Sequence, residues 1–176
     1  ARRSFRAKAA RLPEIVRAMN STNRILPQRK HPVHMPVVVR HNEPTVVLLT
    51  VCTRERRNHL ANEMVHQVMK SAWMDAYAWR VGLYVIMPDH LHMFCSPGSV
   101  EFPAIASWAR YWKSLTSQAM GWGSGMWQLD CWDTQMRDIR HYEGKCAYVR
   151  QNPVRRGLVS ESRQWPYMGV INTIEW

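Results

Sequence analysis

From Thr45 onward, apolar and polar positions fall into recognisable periods. Thr45-Val-Val-Leu-Leu-Thr-Val-Cys-Thr53 is a run rich in β-branched residues, which predicts a strand buried on both faces. Between Asn58 and Trp73, the residues Leu60, Met64, Val65, Val68, Met69 and Ala72 recur at helical spacing, with Asn58 available as an N-cap. A second apolar strand runs from Trp79 to Met87. Pro88-Asp89 makes a tight turn, and His90 to Cys95 returns as a third strand, so the two form an antiparallel hairpin. Phe102 to Met120 is again helical, with Ile105, Trp108, Ala109, Trp112, Leu115 and Ala119 on one stripe. It stops at Gly121-Trp-Gly-Ser-Gly125. Met126 to Asp138 reads as a fourth strand with irregular ends. A last helix starts at Asp138 or Ile139 and runs to Asn152, where Pro153 interrupts it, and Gly157 closes a short continuation.

The order β-α-β-β-α-β followed by a helix predicts the α+β class. It is a ferredoxin-like sandwich in which helices cover one face of an antiparallel sheet and the other face is left free, with the additional helix at the C-terminal end. Ahead of it, residues 1 to 44 hold ten Lys or Arg against two Glu, a short helical stretch from Leu12 to Met19, and prolines at 27, 32, 36 and 44. We read 1–44 as a basic, partly irregular N-terminal arm and 45–176 as the folded domain. Over the whole chain, 24 Lys and Arg against 13 Asp and Glu leave a net charge of +11, which suits a polyanionic partner. No apolar run approaches the ~18 residues of a membrane span, and the first residues lack the apolar stretch of a signal peptide, so a cytoplasmic protein without membrane association is expected. Cys52, Cys95, Cys131 and Cys146 form no C-x-x-C pair and signal neither a disulfide framework nor a structural zinc site.

Two places concentrate chemistry. In a strand, His90 and His92 point to one face while Leu91 and Met93 point to the other, so two imidazoles stand side by side. Such a pair suits a clamp on a metal ion, although two hydrogen-bonded, partly buried histidines would have the same spacing. On the last helix, His141, Lys145, Tyr148 and Asn152 fall within an arc of about 60°, and Ile139, Tyr142, Cys146 and Val149 occupy the opposing side. An amide oxygen from Asn152 can complete coordination begun by His90 and His92, bringing the Tyr148 phenol within reach of whatever the metal polarises.

These elements occur together with Tyr84-Val-Ile-Met-Pro-Asp-His-Leu-His-Met-Phe94, Trp112-Lys-Ser114, Met126-Trp-Gln128, Cys131-Trp-Asp133, Arg137-Asp138 and Tyr148-Val-Arg-Gln-Asn-Pro-Val-Arg-Arg-Gly-Leu-Val159. In that order and spacing, over roughly residues 45 to 168, the chain resembles the HUH single-tyrosine transposases, and within them the REP-associated tyrosine transposases. The resemblance implies a ferredoxin-like catalytic domain with His90 and His92 on the central sheet, Tyr148 as nucleophile on a C-terminal helix, and Asn152 as the third metal-binding side chain. It further implies cleavage and rejoining of single-stranded DNA beside a palindromic hairpin through a 5′-phosphotyrosine link. Thr134 departs from the histidine that relatives often carry after Trp-Asp, so an auxiliary role for that histidine has no counterpart here.

A phenol ionises more readily than an alcohol near a cation and is a better leaving group, so the reaction can be reversed without ATP; correspondingly, the chain has no phosphate loop and implies no nucleotide cofactor. Two imidazoles and an amide suit Mg²⁺ or Mn²⁺, with zinc a third possibility, and Cys95 falls on the face opposite His92. Arg110, Lys113, Lys145, Arg150, Arg155 and Arg156 are the candidate phosphate contacts. Trp108, Trp112, Trp127 and Trp132 read as core residues first and base-stacking platforms second. Two further readings stay open: a domesticated hairpin-DNA-binding protein with little or no transposition activity, and either a monomer or a dimer.

Overall fold

The computed structural model describes Pro32, residues 34–39 and residues 43–176. What the basic-arm reading says of residues 1–30 lies outside them. The elements are β1 (Val47–Cys52), α1 (Glu63–Asp75), β2 (Trp79–Ile86), β3 (His90–Pro97), α2 (Ile105–Ala119), β4 (Trp132–Gln135), α3 (Ile139–Arg150), α4 (Asn152–Arg155) and β5 (Met168–Val170). Strands pair antiparallel throughout, in the order β4-β1-β3-β2-β5. The first four are thus arranged as a ferredoxin-like sheet. β5, which adds to the free edge of β2, was not expected, because three residues are too few to display a period.

Alternation along the central strands separates two apolar layers. Leu49 and Val51 of β1 and Leu91, Met93 and Cys95 of β3 face α1 and α2, where Met69, Trp73, Trp108 and Trp112 complete the larger core. Each fully buried large side chain contributes roughly 1.5–3 kcal/mol. The indoles also act as hydrogen-bond donors, Trp108 Nε1 to the Ala76 carbonyl at 2.6 Å and Trp79 Nε1 to that of Pro103 at 2.9 Å. On the second face, Leu48, Leu83, Val85, Phe94 and Val149 form a smaller core, with Tyr142 and Cys146 of α3 against it. That face, expected to be free, carries α3, whose apolar side packs on it through Tyr142, Cys146 and Val149.

Local signals explain most boundaries. The α1 cap is Asn62, whose side chain accepts from the Val65 N–H at 3.0 Å, and not Asn58. The four residues before it are held in a loop, with Leu60 N–H donating to the Pro88 carbonyl at 2.9 Å. α2 ends where Gly121 adopts φ +64°, a conformation open to glycine, and Gly157 does the same after α4 at φ +66°. The register of β2 against β3 shifts between Val81 and Tyr84, so that Val81 and Leu83, two positions apart, reach opposite cores. Among the described residues no helix is long and apolar enough to cross a membrane.

His66 of α1 is buried under this layer, its Nε2 2.8 Å from the Tyr84 hydroxyl. Burial, assisted by the charge of Lys70, holds its pKa below the ordinary 6.5. A histidine depressed on folding leaves stability intact above the unfolded value and removes it as pH falls, because the unfolded chain then binds the extra proton. His66→Gln should flatten the loss of unfolding free energy between about pH 7 and 5. Urea denaturation at each pH measures it, and an unchanged slope would show that His66 titrates normally.

Candidate active site

β3 places His90 and His92 on the α3 side of the sheet, together with Phe94. Their ring centroids are 5.0 Å apart and nearly perpendicular, at 86°. Both rings are anchored through Nδ1: His90 to Asp89 Oδ1 at 2.6 Å, His92 to Thr50 Oγ1 at 2.8 Å, Thr50 standing opposite His92 in the register. Nε2 is thereby the outward atom of each ring. Burial depresses the pKa of His90 against the opposing pull of Asp89. Burial, then His90, Arg56 and Lys145, push His92 down to about 3. Two neutral imidazoles with anchored Nδ1 atoms are the form in which histidines bind metal.

The anchor of His90 is itself supported. The Asp89 carboxylate receives Arg56 Nε at 2.8 Å, and its carbonyl accepts from both the N–H and the hydroxyl of the fully buried Thr53, each at 3.0 Å. Although burial alone would raise the pKa of Asp89, the bond to His90 and the charges of His90, Arg56 and Arg156 hold it below the usual carboxylate range. Arg56 reaches Asp89 from a turn in which Glu55 and Arg56 take φ of 58° and 57°. Left-handed backbone at two consecutive non-glycine residues costs on the order of 1–2 kcal/mol each. The turn is held by the Arg54 N–H donating to the Met126 carbonyl at 2.9 Å.

α3 is fixed over this face by Val149, which is fully buried, and by Tyr142, whose ring meets Phe94 edge-on at 5.2 Å. Tyr148 is on its other side, 45% exposed. Its ring has the Arg155 guanidinium 4.6 Å and the Lys145 ammonium 5.9 Å from its centroid. It also borders a groove of about 310 Å³ lined by Arg140, His141, Gly144 and Lys145. His141 accepts from the Arg137 N–H at 3.3 Å, so its Nδ1 is engaged at the helix start. Asn152 opens α4 and is buried, and its Nδ2 has no hydrogen-bond partner among the described residues. Two anchored neutral imidazoles fit a cation ligand set; from Asn152 the donor would be the amide oxygen, not the orphaned Nδ2.

The structure thus brings Lys145 and Arg156 close enough for their charges to act on the histidine pair, with Arg155 against Tyr148. It does not bring Arg110 or Lys113 there, since both are on α2, against the opposite sheet face. Lys113 is buried and donates to the carbonyls of Gln128 at 3.0 Å and Leu129 at 3.4 Å. The charge of Arg150 falls on the Tyr142 and Cys146 side of α3. Thr50, Arg56 and Asp89 were missed as site residues. For Thr50, alternation along β1 against β3 was the available signal. Trp132 was read mainly as core. Trp108 and Trp112 are buried and Trp127 is partly so, but Trp132 is 44% exposed and aligned across the sheet with Thr50 and His92.

This is a ferredoxin-like α+β domain with a histidine pair and a tyrosine helix on one sheet face. No family model matches the chain. It is 26% identical over 121 residues to the REP-associated tyrosine transposase of Escherichia coli K12, covering 67% of this chain and 72% of that protein. A putative REP-associated tyrosine transposase of Haemophilus influenzae is 23% identical over 133 residues, with 67% and 75% covered. A solved REP-associated tyrosine transposase bound to a REP hairpin superimposes with TM-score 0.63 at 23% identity, covering 76% of this chain and 82% of that one, which establishes the shared fold. The resemblance drawn from the motifs is therefore shown: the chain is similar in sequence and in fold to REP-associated tyrosine transposases.

Lys113→Met should lower stability by about 1–3 kcal/mol, because two carbonyls lose their donor, whereas Arg110→Met should stay within about 0.5 kcal/mol. Chemical denaturation of the two variants measures the difference. Equal, negligible effects would show that the Gln128 and Leu129 carbonyls do not depend on Lys113.

Proposed function

We propose that the chain is a transposase-like, metal-dependent endonuclease and strand-transferase acting on single-stranded DNA next to a palindromic hairpin. The observation carrying this reading is that two neutral, Nδ1-anchored imidazoles and the helix bearing Tyr148 occupy the same sheet face. The hairpin substrate is taken from the relative solved with a REP hairpin. The net charge of +11, the cations Lys145 and Arg155 flanking the Tyr148 ring, and the charge of Arg156 felt at His90 support a phosphate backbone as partner.

In this reading, the Tyr148 oxygen attacks phosphorus in line. The Tyr–O–P bond forms, the P–O3′ bond breaks, and the products are a 5′-phosphotyrosine and a free 3′ hydroxyl. Lys145 and Arg155, cationic and next to the phenol ring, favour the phosphate's approach. His90, His92 and Asn152 would hold Mg²⁺ or Mn²⁺, which supplies neutralisation of charge on the non-bridging oxygens. Asp89 and Thr50 fix the tautomer and the orientation of the two rings, and Arg56 fixes Asp89. Reversal requires only a 3′ hydroxyl, since the phenolate leaves readily.

Labelled single-stranded hairpin DNA incubated with Mn²⁺ or Mg²⁺ tests the reading. The native chain should yield a denaturant-resistant protein–DNA adduct, and Tyr148→Phe should reduce it at least about 100-fold. Equal adduct from both would end the nucleophile assignment. An adduct from neither, with hairpin binding intact, would favour the domesticated binding protein. Trp132→Ala should weaken binding of the single-stranded flank by about 1–3 kcal/mol, as expected when one base loses a stacking partner. Fluorescence anisotropy measures it, and unchanged affinity would leave Trp132 without a role in the site.

A further inference from the structure

A second cluster of ligand-type side chains lies on the opposite sheet face. Cys131 immediately precedes β4, and Asp133 is within it. Asp133 is paired with Leu49 and so points to the α1/α2 side. His34, from the segment before the sheet, reaches both aspartates: its Nε2 is 2.6 Å from Asp130 Oδ1, and its Nδ1 contacts Asp133 Oδ1. Ligand atoms of His34, Asp130 and Cys131 lie within 4.8 Å of one another. The supports are in place as well. Cys131 N–H donates to Asp130 Oδ1 at 2.9 Å, and a reciprocal amide pair ties Val38 to Gln135, at 2.9 and 2.7 Å, holding residues 34–39 along β4.

We propose that His34 Nε2, Asp130 and Cys131 form a zinc site, separate from the histidine pair, that fastens residues 34–39 to the β4 edge, with Asp133 holding the His34 ring through Nδ1. An imidazolium between two carboxylates would account for three of these residues. It gives Cys131 no part, although this thiol, 2% exposed at the border of the larger core, has its sulfur within 4.8 Å of the His34 and Asp130 ligand atoms. A metal replaces the thiol proton. One nitrogen, one carboxylate oxygen and one sulfur make a three-donor set for Zn²⁺, with the fourth tetrahedral position left to water, while the thiolate disfavours Mg²⁺ and Mn²⁺. Zn²⁺ binding releases the Cys131 proton, and the His34 proton where present, to solvent. With Asp133 counted beside the ligands, one thiolate and two carboxylates leave one negative charge around Zn²⁺, and the buried Lys113 ammonium, which acts on both Asp130 and Cys131, compensates it. This gives the buried lysine a role beside its bonds to the Gln128 and Leu129 carbonyls. It also covers one edge of the sheet, where strand pairing groups would otherwise face solvent.

Co²⁺ titration of the metal-stripped full chain distinguishes this site, because a thiolate-to-cobalt charge-transfer band requires sulfur ligation, which the His90, His92 and Asn152 set cannot give. We expect the band in the native chain and in Cys52→Ser, its loss in Cys131→Ser, and its displacement by Zn²⁺. His34→Asn, altered on an exposed segment, should weaken Zn²⁺ binding about 100-fold or more while circular dichroism is unchanged. Absence of the band in the native chain, or retention of it in Cys131→Ser, overturns the proposal. So does Zn²⁺ affinity unchanged in His34→Asn.

Discussion

Strand β3 alternates between two interiors, and each consequence in this domain follows from which way its residues point. Leu91, Met93 and Cys95 enter the layer under α1 and α2, while His90, His92 and Phe94 enter the layer under α3. A slip by one residue would place two imidazoles in the tryptophan-lined core and three apolar side chains under the tyrosine helix. The slip is opposed from both ends. At the turn, the Met87 N–H donates to the His90 carbonyl at 2.7 Å while Thr53 and Leu60 bind the carbonyls of Asp89 and Pro88. In the middle, Phe94 is fully buried against Tyr142.

The same alternation sets the electrostatics of the face. His92 is depressed to about 3 chiefly because burial disfavours its charged form, and the cations Arg56 and Lys145 push the same way. Such surroundings repel a proton from the rings and attract an anion to the surface, which is the combination a phosphate-handling site requires. Asp89 is the counterweight. Without its carboxylate, His90 would have burial and two guanidinium groups against it and no fixed orientation. The strained turn that presents Arg56 to Asp89 thus belongs to the site, although it is distant from Tyr148 in sequence.

The two sheet faces divide the cationic residues by role. Lys145 of α3 and Arg155 of α4 flank the phenol, whereas Lys113 on α2 is enclosed and occupied by backbone carbonyls. The tryptophans divide in the same way. Four of them, Trp73, Trp79, Trp108 and Trp112, fill the larger core, and Trp132 shares the outward face with His92. Type of residue did not decide these assignments; the layer each residue belongs to did.

Much of this was legible in the order of residues alone. Period two through His90-Leu-His-Met, period 3.6 through α1, α2 and α3, and the Pro-Asp and glycine stops determined the element sequence and the pairing of the histidines, because these depend only on neighbours along the chain. Motifs spread over residues 84 to 159 carried the family resemblance for the same reason. What the tertiary structure decided was everything that depends on partners far apart in sequence: that α3 covers the second face, that Thr50 anchors His92, that Arg56 supports Asp89, that Lys113 is buried, and that His34 meets Asp130 and Asp133 across nearly one hundred residues. A local pattern states which way a side chain points; only the folded sheet determines what it meets there.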